Sequence, residues 1–324
     1  MAMRIPFDQS VWYEYLAGQE AQLPPLNDIE HITDRVVRVM GGNPGLTQLQ
    51  GTNTYLVGTG RSRIIIDTGE GLPCWIERVV QLVRDHQLEI SHILLTHWHG
   101  DHTGGVADLV AYNTELASRV YKNQPDRGQN GLVDGQVFAI EGATLRAIFT
   151  PGHAVDHMCF VLEEENALFT GDNVLGHGYS VIQDLAMYMK SLVRMAALRC
   201  TTGYPAHGAK IEDMSAKMQE YITHKEFRIQ QVFSTLSQNR IVESSVSVPQ
   251  VVGKGKGGGM TLAEIVQSIY GDVPVDFVEK AFAPFLTQVL WKLAEDRKVG
   301  FEPGEPMKRK WFGLSVREVQ PDSD

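Results

Sequence analysis

The densest chemistry in the chain lies in six consecutive residues, His97-Trp98-His99-Gly100-Asp101-His102. Imidazole nitrogens and carboxylate oxygens are the donors that borderline divalent ions prefer. In an extended chain, residues two apart point the same way. His97 and His99 can therefore grip one ion at a strand end, while Asp101 and His102, past the turn, grip a second. Two ions need more donors. The chain supplies His153 in Thr150-Pro151-Gly152-His153, Asp172 in Thr170-Gly171-Asp172 and His207 in Pro205-Ala206-His207-Gly208. Singly, each of these histidines reads as an ordinary loop residue; beside the first motif, coincidence is a poor explanation. Zinc suits the set best, two ions per chain, with manganese or iron allowed at one position. Two ions about 3.5–4 Å apart acidify a shared water and polarise a carbonyl or phosphoryl oxygen, so the set points to hydrolysis. Asp101 is also the carboxylate best placed to accept or donate the proton.

Each of these residues follows an apolar segment. Arg35–Met40 reads as a strand, and Gly41–Gly45 must be a loop. Thr52–Val57 and Arg63–Asp67 read as a hairpin turning at Gly58-Thr59-Gly60. Pro73–His86 has helical spacing, with Trp75, Val79, Leu82 and Val83 on one face. Ile90–Thr96 is the strand that delivers the histidine-rich loop. The pattern repeats: helix and strands before His153, a strand over Asn166–Thr170 ending at Asp172, a helix over Ile182–Leu198, and Gly203–Gly208 bearing His207. A ligand-bearing loop after a strand in both halves predicts an α/β fold, two sheets face to face with helices outside, an αββα sandwich.

The expected domains are a catalytic one over 1–228 and a small winged-helix-like one over 229–324. A long polar helix over Lys217–Asn239 crosses the boundary. A tether near 244–259 ends in Gly253-Lys254-Gly255-Lys256-Gly257-Gly258-Gly259. Helices over Thr261–Tyr270 and Val275–Arg297 follow, Thr261 and Glu264 forming a capping box. Val299–Phe301 and Lys310–Leu314 read as a hairpin. The first thirty residues read as a short amphipathic helix carrying Trp12, Tyr13, Tyr15 and Leu16, then a lead-in strand.

The formal net charge is -10, which repels polyanions at long range and argues against nucleic acid as the main partner. Cys74, Cys159 and Cys200 are too few and too scattered for a disulfide framework or a zinc ribbon, which predicts a reducing compartment. Met1–Ser10 lacks the apolar core of a secretory signal, and no apolar run is long enough to cross a bilayer. A cytosolic protein is expected.

The ordered set Asp67, His97-x-His99-x-Asp101-His102, His153, Asp172, His207 resembles the full motif series of the metallo-β-lactamase superfamily. The resemblance implies that His97, His99 and His153 hold the first ion, that Asp101, His102 and His207 hold the second, and that Asp172 bridges them. Asp67, in Ile66-Asp67-Thr68-Gly69, would brace the ligand loop; a plain turn residue is an equal reading. Cys159 and Cys200 match no ligand position. The chain is thus similar to the all-Asp/His branch, which holds glyoxalase-II-like thioesterases and nuclease-like members.

Longer segments narrow the likeness. They include Gly41–Gly45, Leu49–Tyr55, Thr96–Gly105, Pro151–Met158 and Gly171–Gly178. These resemble the stand-alone fungal thioesterases paired with non-reducing polyketide synthases, of the atrochrysone carboxyl ACP thioesterase type. The resemblance implies hydrolysis of an aromatic polyketide thioester on the synthase's acyl carrier protein, releasing atrochrysone carboxylic acid or a relative on the way to anthraquinones. Tyr55, Trp98, Tyr179 and Tyr204 lie near the ligand motifs and can line an apolar cleft, or equally sit in the core. Two other readings stand beside this one. Lys254, Lys256 and Lys308-Arg309-Lys310 fit a single-strand endoribonuclease, and a non-catalytic docking partner of the synthase needs no chemistry at all.

Overall fold

The structure is a computed structural model describing residues 23–45, 47–48, 50–241, 259–274 and 277–314, the side chains of 238–241 excepted. The expected N-terminal helix and the glycine-rich tether up to residue 258 lie outside the described residues. Two compact units are present, one within Tyr13–Ile222 and the other within Thr223–Asp324.

The larger unit holds two mixed sheets. The first contains β1 (Ile29–His31), β2 (Val36–Met40), β3 (Asn53–Val57), β4 (Ser62–Ile66), β5 (Glu89–Leu94), β6 (Val120–Lys122) and β7 (Asn130–Gly131), in that spatial order. β2, β3 and β4 are antiparallel neighbours, and β4, β5 and β6 run parallel. The second sheet has the order β12-β11-β10-β9-β8, with β8 Val137–Ile140, β9 Ala143–Phe149, β10 Met158–Leu162, β11 Ala167–Gly171 and β12 Thr202–Pro205.

Period-2 alternation sorts the side chains of the first sheet. Tyr55, Val57, Ile64 and Ile66 face inward and form one core with Phe138, Leu145, Ala147, Met158, Phe160 and Phe169 of the second sheet. Leu56 and Ile65 point the other way, into a second core with Trp75, Val79, Leu82 and Val83 of α1 (Pro73–Asp85). Those four are the face that the helical spacing predicts. Each such side chain stabilises the fold by about 1.5–3 kcal/mol relative to exposure. Two short helices follow β5, α2 (Gly100–Thr103) and α3 (Val106–Tyr112). α4 (Leu185–Ala197) buries Tyr188, Leu192 and Met195. It starts three residues later than its periodicity implies, because the Asp184 carboxylate accepts the Met187 N–H and caps it there.

Strand direction places the chemistry. β9 and β11 are both antiparallel to β10, so they run the same way, and β12 is parallel to β11. The C-terminal ends of β9, β11 and β12 therefore share one edge of their sheet, as those of β4 and β5 do in the other. These edges are stitched together by Asn53 N–H to Ala206 C=O (2.6 Å) and Met158 N–H to Thr96 C=O (2.7 Å).

α5 (Met214–Ile241) includes the chain position at which the second unit begins. α6 (Leu262–Tyr270) opens on the expected capping box of Thr261 and Glu264. A π-helical turn, Val278–Phe282, leads into α7 (Ala283–Glu295). β13 (Val299–Phe301) and β14 (Trp311–Gly313) form the antiparallel hairpin.

Candidate metal centre

The seven expected donors converge at the stitched end of the sandwich. They fall into two groups, His97, His99, His153 and Asp172, and Asp101, His102 and His207. β5 ends in the extended stretch that carries His97 and His99 to the same side. The one-turn α2 then swings Asp101 and His102 away toward the second group.

In the first group, His97 Nε2, His99 Nδ1 and His153 Nε2 lie 2.8, 3.0 and 3.2 Å from one another. A tetrahedral ion bound at about 2.0–2.1 Å separates its ligand atoms by about 3.3 Å. In the second, Asp101 Oδ2 lies 3.3 Å from His102 Nε2 and 3.4 Å from His207 Nε2. Asp172 faces both: its Oδ2 is 3.4 Å from His153 Nε2, and its Oδ1 is 3.2 Å from His207 Nε2.

The far nitrogens of these rings are fixed from behind. Thr96 Oγ1 lies 3.0 Å from His97 Nδ1 and gives its own proton to Asp67, so the His97 N–H donates to it. His153 Nδ1 donates to Val181 C=O (2.7 Å), with Ser180 Oγ at 3.0 Å. His207 Nδ1 donates to Gly51 C=O (3.2 Å). His102 Nδ1 meets Asp67 Oδ2 at 2.8 Å. With those protons placed outward, the inward nitrogens of His97 and His153 present lone pairs to the first group, an arrangement that a bound cation relieves. His102 Nε2 and Asp172 Oδ1 are buried with no hydrogen-bond partner in the protein, which is the state of atoms that await an ion. The donor set fits two divalent ions.

Electrostatics distinguish the two groups. Burial holds His97, His99 and His153 below the ordinary imidazole range, His99 down to about 4, helped by neighbouring positive imidazoles. These rings are neutral and ready to ligate. At His102 and His207 burial acts the same way, but Asp101 and Asp172 outweigh it. His102 rises well above the usual range and His207 to about 10. Burial alone would raise the Asp101 and Asp172 carboxyls, yet the adjacent imidazoles hold both far below the carboxylate range.

Asp67 fills both readings given to it. It is a turn residue in left-handed backbone (φ 59) and is buried. Its Oδ1 also accepts the Thr96 N–H (2.8 Å) while Oδ2 orients His102.

Of the four aromatic residues that could line a cleft or sit in the core, two sit in the core. Tyr55 and Tyr204 are buried between the sheets, 5.8 Å apart centroid to centroid. The Tyr55 hydroxyl donates to Pro205 C=O and that of Tyr204 to Glu165. Strand alternation turns both rings inward, however near the ligands they lie in sequence. Trp98 and Tyr179 are 51% and 40% exposed.

Other contributors carried no recognisable signal. His157 is fully buried, and its Nε2 accepts the Asp172 N–H (3.1 Å), fixing the backbone that presents the Asp172 carboxylate. Thr52 Oγ1 donates to Asp101 Oδ2 (3.0 Å). Asn53 donates to the carbonyls of Pro205 and Gly208 (2.8 Å each), bracing the His207 turn.

Known proteins share this framework. A family profile described as the metallo-beta-lactamase superfamily matches residues 48–207. The chain is 60% identical to lactamase-like protein nscB of Aspergillus fumigatus, over 99% of this chain and 96% of that one. It is 61% identical to lactamase-like protein aptB of Emericella nidulans, covering 98% and 99% of the two chains. Identity to lactamase-like protein vrtG of Penicillium aethiopicum is also 61%, with 98% and 100% covered. Among solved structures, a beta-lactamase domain protein from Burkholderia ambifaria superposes with a TM-score of 0.70 at 18% identity, over 90% of this chain and 95% of the other. A metallo-beta-lactamase family protein from Thermus thermophilus gives 0.56 at 21%, over 86% and 98%. Likeness at that identity speaks to the fold alone.

Proposed function

We propose a thioesterase from one premise: the chain belongs to the metallo-β-lactamase superfamily, alongside the fungal lactamase-like proteins, and is a hydrolase of that type. The substrate we infer is the acyl thioester that a non-reducing polyketide synthase holds on its acyl carrier protein, and the product is atrochrysone carboxylic acid or a close relative. Asp172, with one oxygen toward each donor group, is the observation that carries the hydrolytic part. The thioester and its carrier rest on the fungal-type segments around the ligands.

The three neutral imidazoles His97, His99 and His153 would hold one zinc ion, and Asp101, His102 and His207 the other, with Asp172 shared. When bound, such a pair supplies a water acidified toward neutrality and a Lewis acid for the carbonyl oxygen. The protein does the rest. Asp101 stays ionised, its Oδ2 is held by Thr52, and it is the carboxylate we assign to receive the proton of the attacking water. A leaving thiol with a pKa of about 8.5 departs without a strong acid, so no dedicated donor is required. Asp67, Thr96 and the carbonyls of Gly51 and Val181 fix the tautomers, which spares reorganisation during turnover.

Cleavage of RNA fits less well. The net charge is -10. Of the basic run Lys308-Arg309-Lys310, Lys308 pairs with Glu305 (2.8 Å) and the Arg309 guanidinium lies 5.0 Å from the Phe301 ring centroid. The test is co-expression with a non-reducing synthase that lacks its own thioesterase. Release of the free acid by the wild-type chain, lost in Asp101→Ala with metal content intact, supports the proposal. Release that survives Asp101→Ala points instead to a docking partner.

A further inference from the structure

Four of the exposed large apolar side chains sit on the loops that carry or fix the ligands, and a fifth, Met187, lies in the first turn of α4. Trp98 (51% exposed) stands between His97 and His99, and its ring packs edge-on against His99 at 4.5 Å. Val155 (46%) follows His153 by two residues, and Val181 (48%) belongs to the residue whose carbonyl holds His153 Nδ1. Tyr179 precedes Val181 by two residues on the same stretch, and Met187 follows in the first turn of α4. That stretch is tied to the His153 loop by hydrogen bonds from the Gln183 and Asp184 N–H groups to Gly152 C=O (2.9 and 3.0 Å). These side chains therefore belong to segments that carry or anchor ligands of the first donor group. Around the second group the described residues differ. Gly100, Thr103 and Gly104 beside Asp101 and His102, and Gly208, Ala209 and Lys210 after His207, include no large exposed apolar side chain.

Exposed apolar surface on three loops around one site is what an apolar ligand buries. We infer that the rim of Trp98, Val155, Tyr179, Val181 and Met187 seats the acyl part of the substrate on the His153 side. The leaving thiol is thereby directed toward the His207 side. Two exposed aromatic faces, Trp98 and Tyr179, select a flat fused-ring acyl group over a short chain. This inference rests on the thioesterase proposal for the bond that is broken, but not for the binding of the ring.

The test uses the zinc-loaded full chain with a 2-naphthoyl and an acetyl thioester of N-acetylcysteamine, and 2-naphthoate as a non-reacting ligand. In Trp98→Ala and Val181→Asp, the ratio of naphthoyl to acetyl kcat/KM falls at least tenfold, mainly through KM. Trp98→Phe, which keeps a ring, restores most of it. Naphthoate binding, followed by saturation-transfer NMR, weakens in the same order. Equal losses on both thioesters, or unchanged naphthoate binding in both variants, overturn the inference. Wild-type protein that binds naphthoate in this variant-sensitive way but cleaves neither thioester overturns the thioesterase proposal and leaves the rim standing.

Discussion

A metal-ligating imidazole is only as good as the group that orients its other nitrogen, and here Asp67 does that for His102. Asp67→Asn isolates its charge, because asparagine tolerates the left-handed backbone at φ 59. The variant should fold and lose about 10–100-fold in second-ion affinity or in kcat/KM. Zinc titration against a competing chelator measures it, and unchanged affinity would reduce Asp67 to a turn residue. The raised pKa values of His102 and His207 give a second expectation at this scale. At pH 7.5 those rings carry protons that an incoming ion must displace, whereas His97, His99 and His153 are already neutral. Calorimetry in buffers of different ionisation enthalpy should show more protons released by the second ion than by the first. The second affinity should also rise with pH. Equal release by both ions would contradict this account.

At the scale of elements, much was legible before any coordinates. Pro73–His86 announced its buried face because amphipathic helix spacing is periodic. Thr261 and Glu264 announced a helix start because a capping box is local. His97, His99, Asp101 and His102 were legible for the same reason: their geometry follows from a strand end and a turn. What was illegible depends on partners distant in sequence. His157 supports Asp172 fifteen residues away, and Asn53 holds carbonyls more than 150 residues on. Tyr55 and Tyr204 stay open between cleft and core in the sequence because nearness to a motif says nothing of which face of a strand a side chain takes. Gly152 shows how an element fixes a ligand. Its φ is +144, and a Cβ there would lie 2.4 Å from the Tyr188 Cα in α4. Gly152→Ala should cost about 1–3 kcal/mol through overpacking and backbone strain. It should also displace His153, so thermal melts and zinc content ought to fall together. A variant as stable and as well loaded as the wild type would show that α4 does not set the position of His153.

At the scale of the whole molecule, the two sheets meet at the site through a few backbone hydrogen bonds and through ligands drawn from both. β5 leads to His97, His99 and His102 in one sheet; β9, β11 and β12 lead to His153, Asp172 and His207 in the other. Ions that bind the folded chain cross-link the sheets and stabilise it by mass action. At a free concentration one hundred times Kd the gain is about 2.7 kcal/mol per site. Chelation should lower the melting temperature and zinc should restore it; an unchanged melt would mean that the donors hold no ion. No helix among the described residues is long and apolar enough to cross a membrane. The most direct measurement is thiol release from an aromatic acyl thioester on a carrier protein by the purified, zinc-loaded chain, run beside single-stranded RNA. The thioesterase proposal predicts stoichiometric free acid and free thiol, abolished by chelation and restored by zinc, with the RNA intact. Efficient RNA cleavage with no thioester turnover would contradict it.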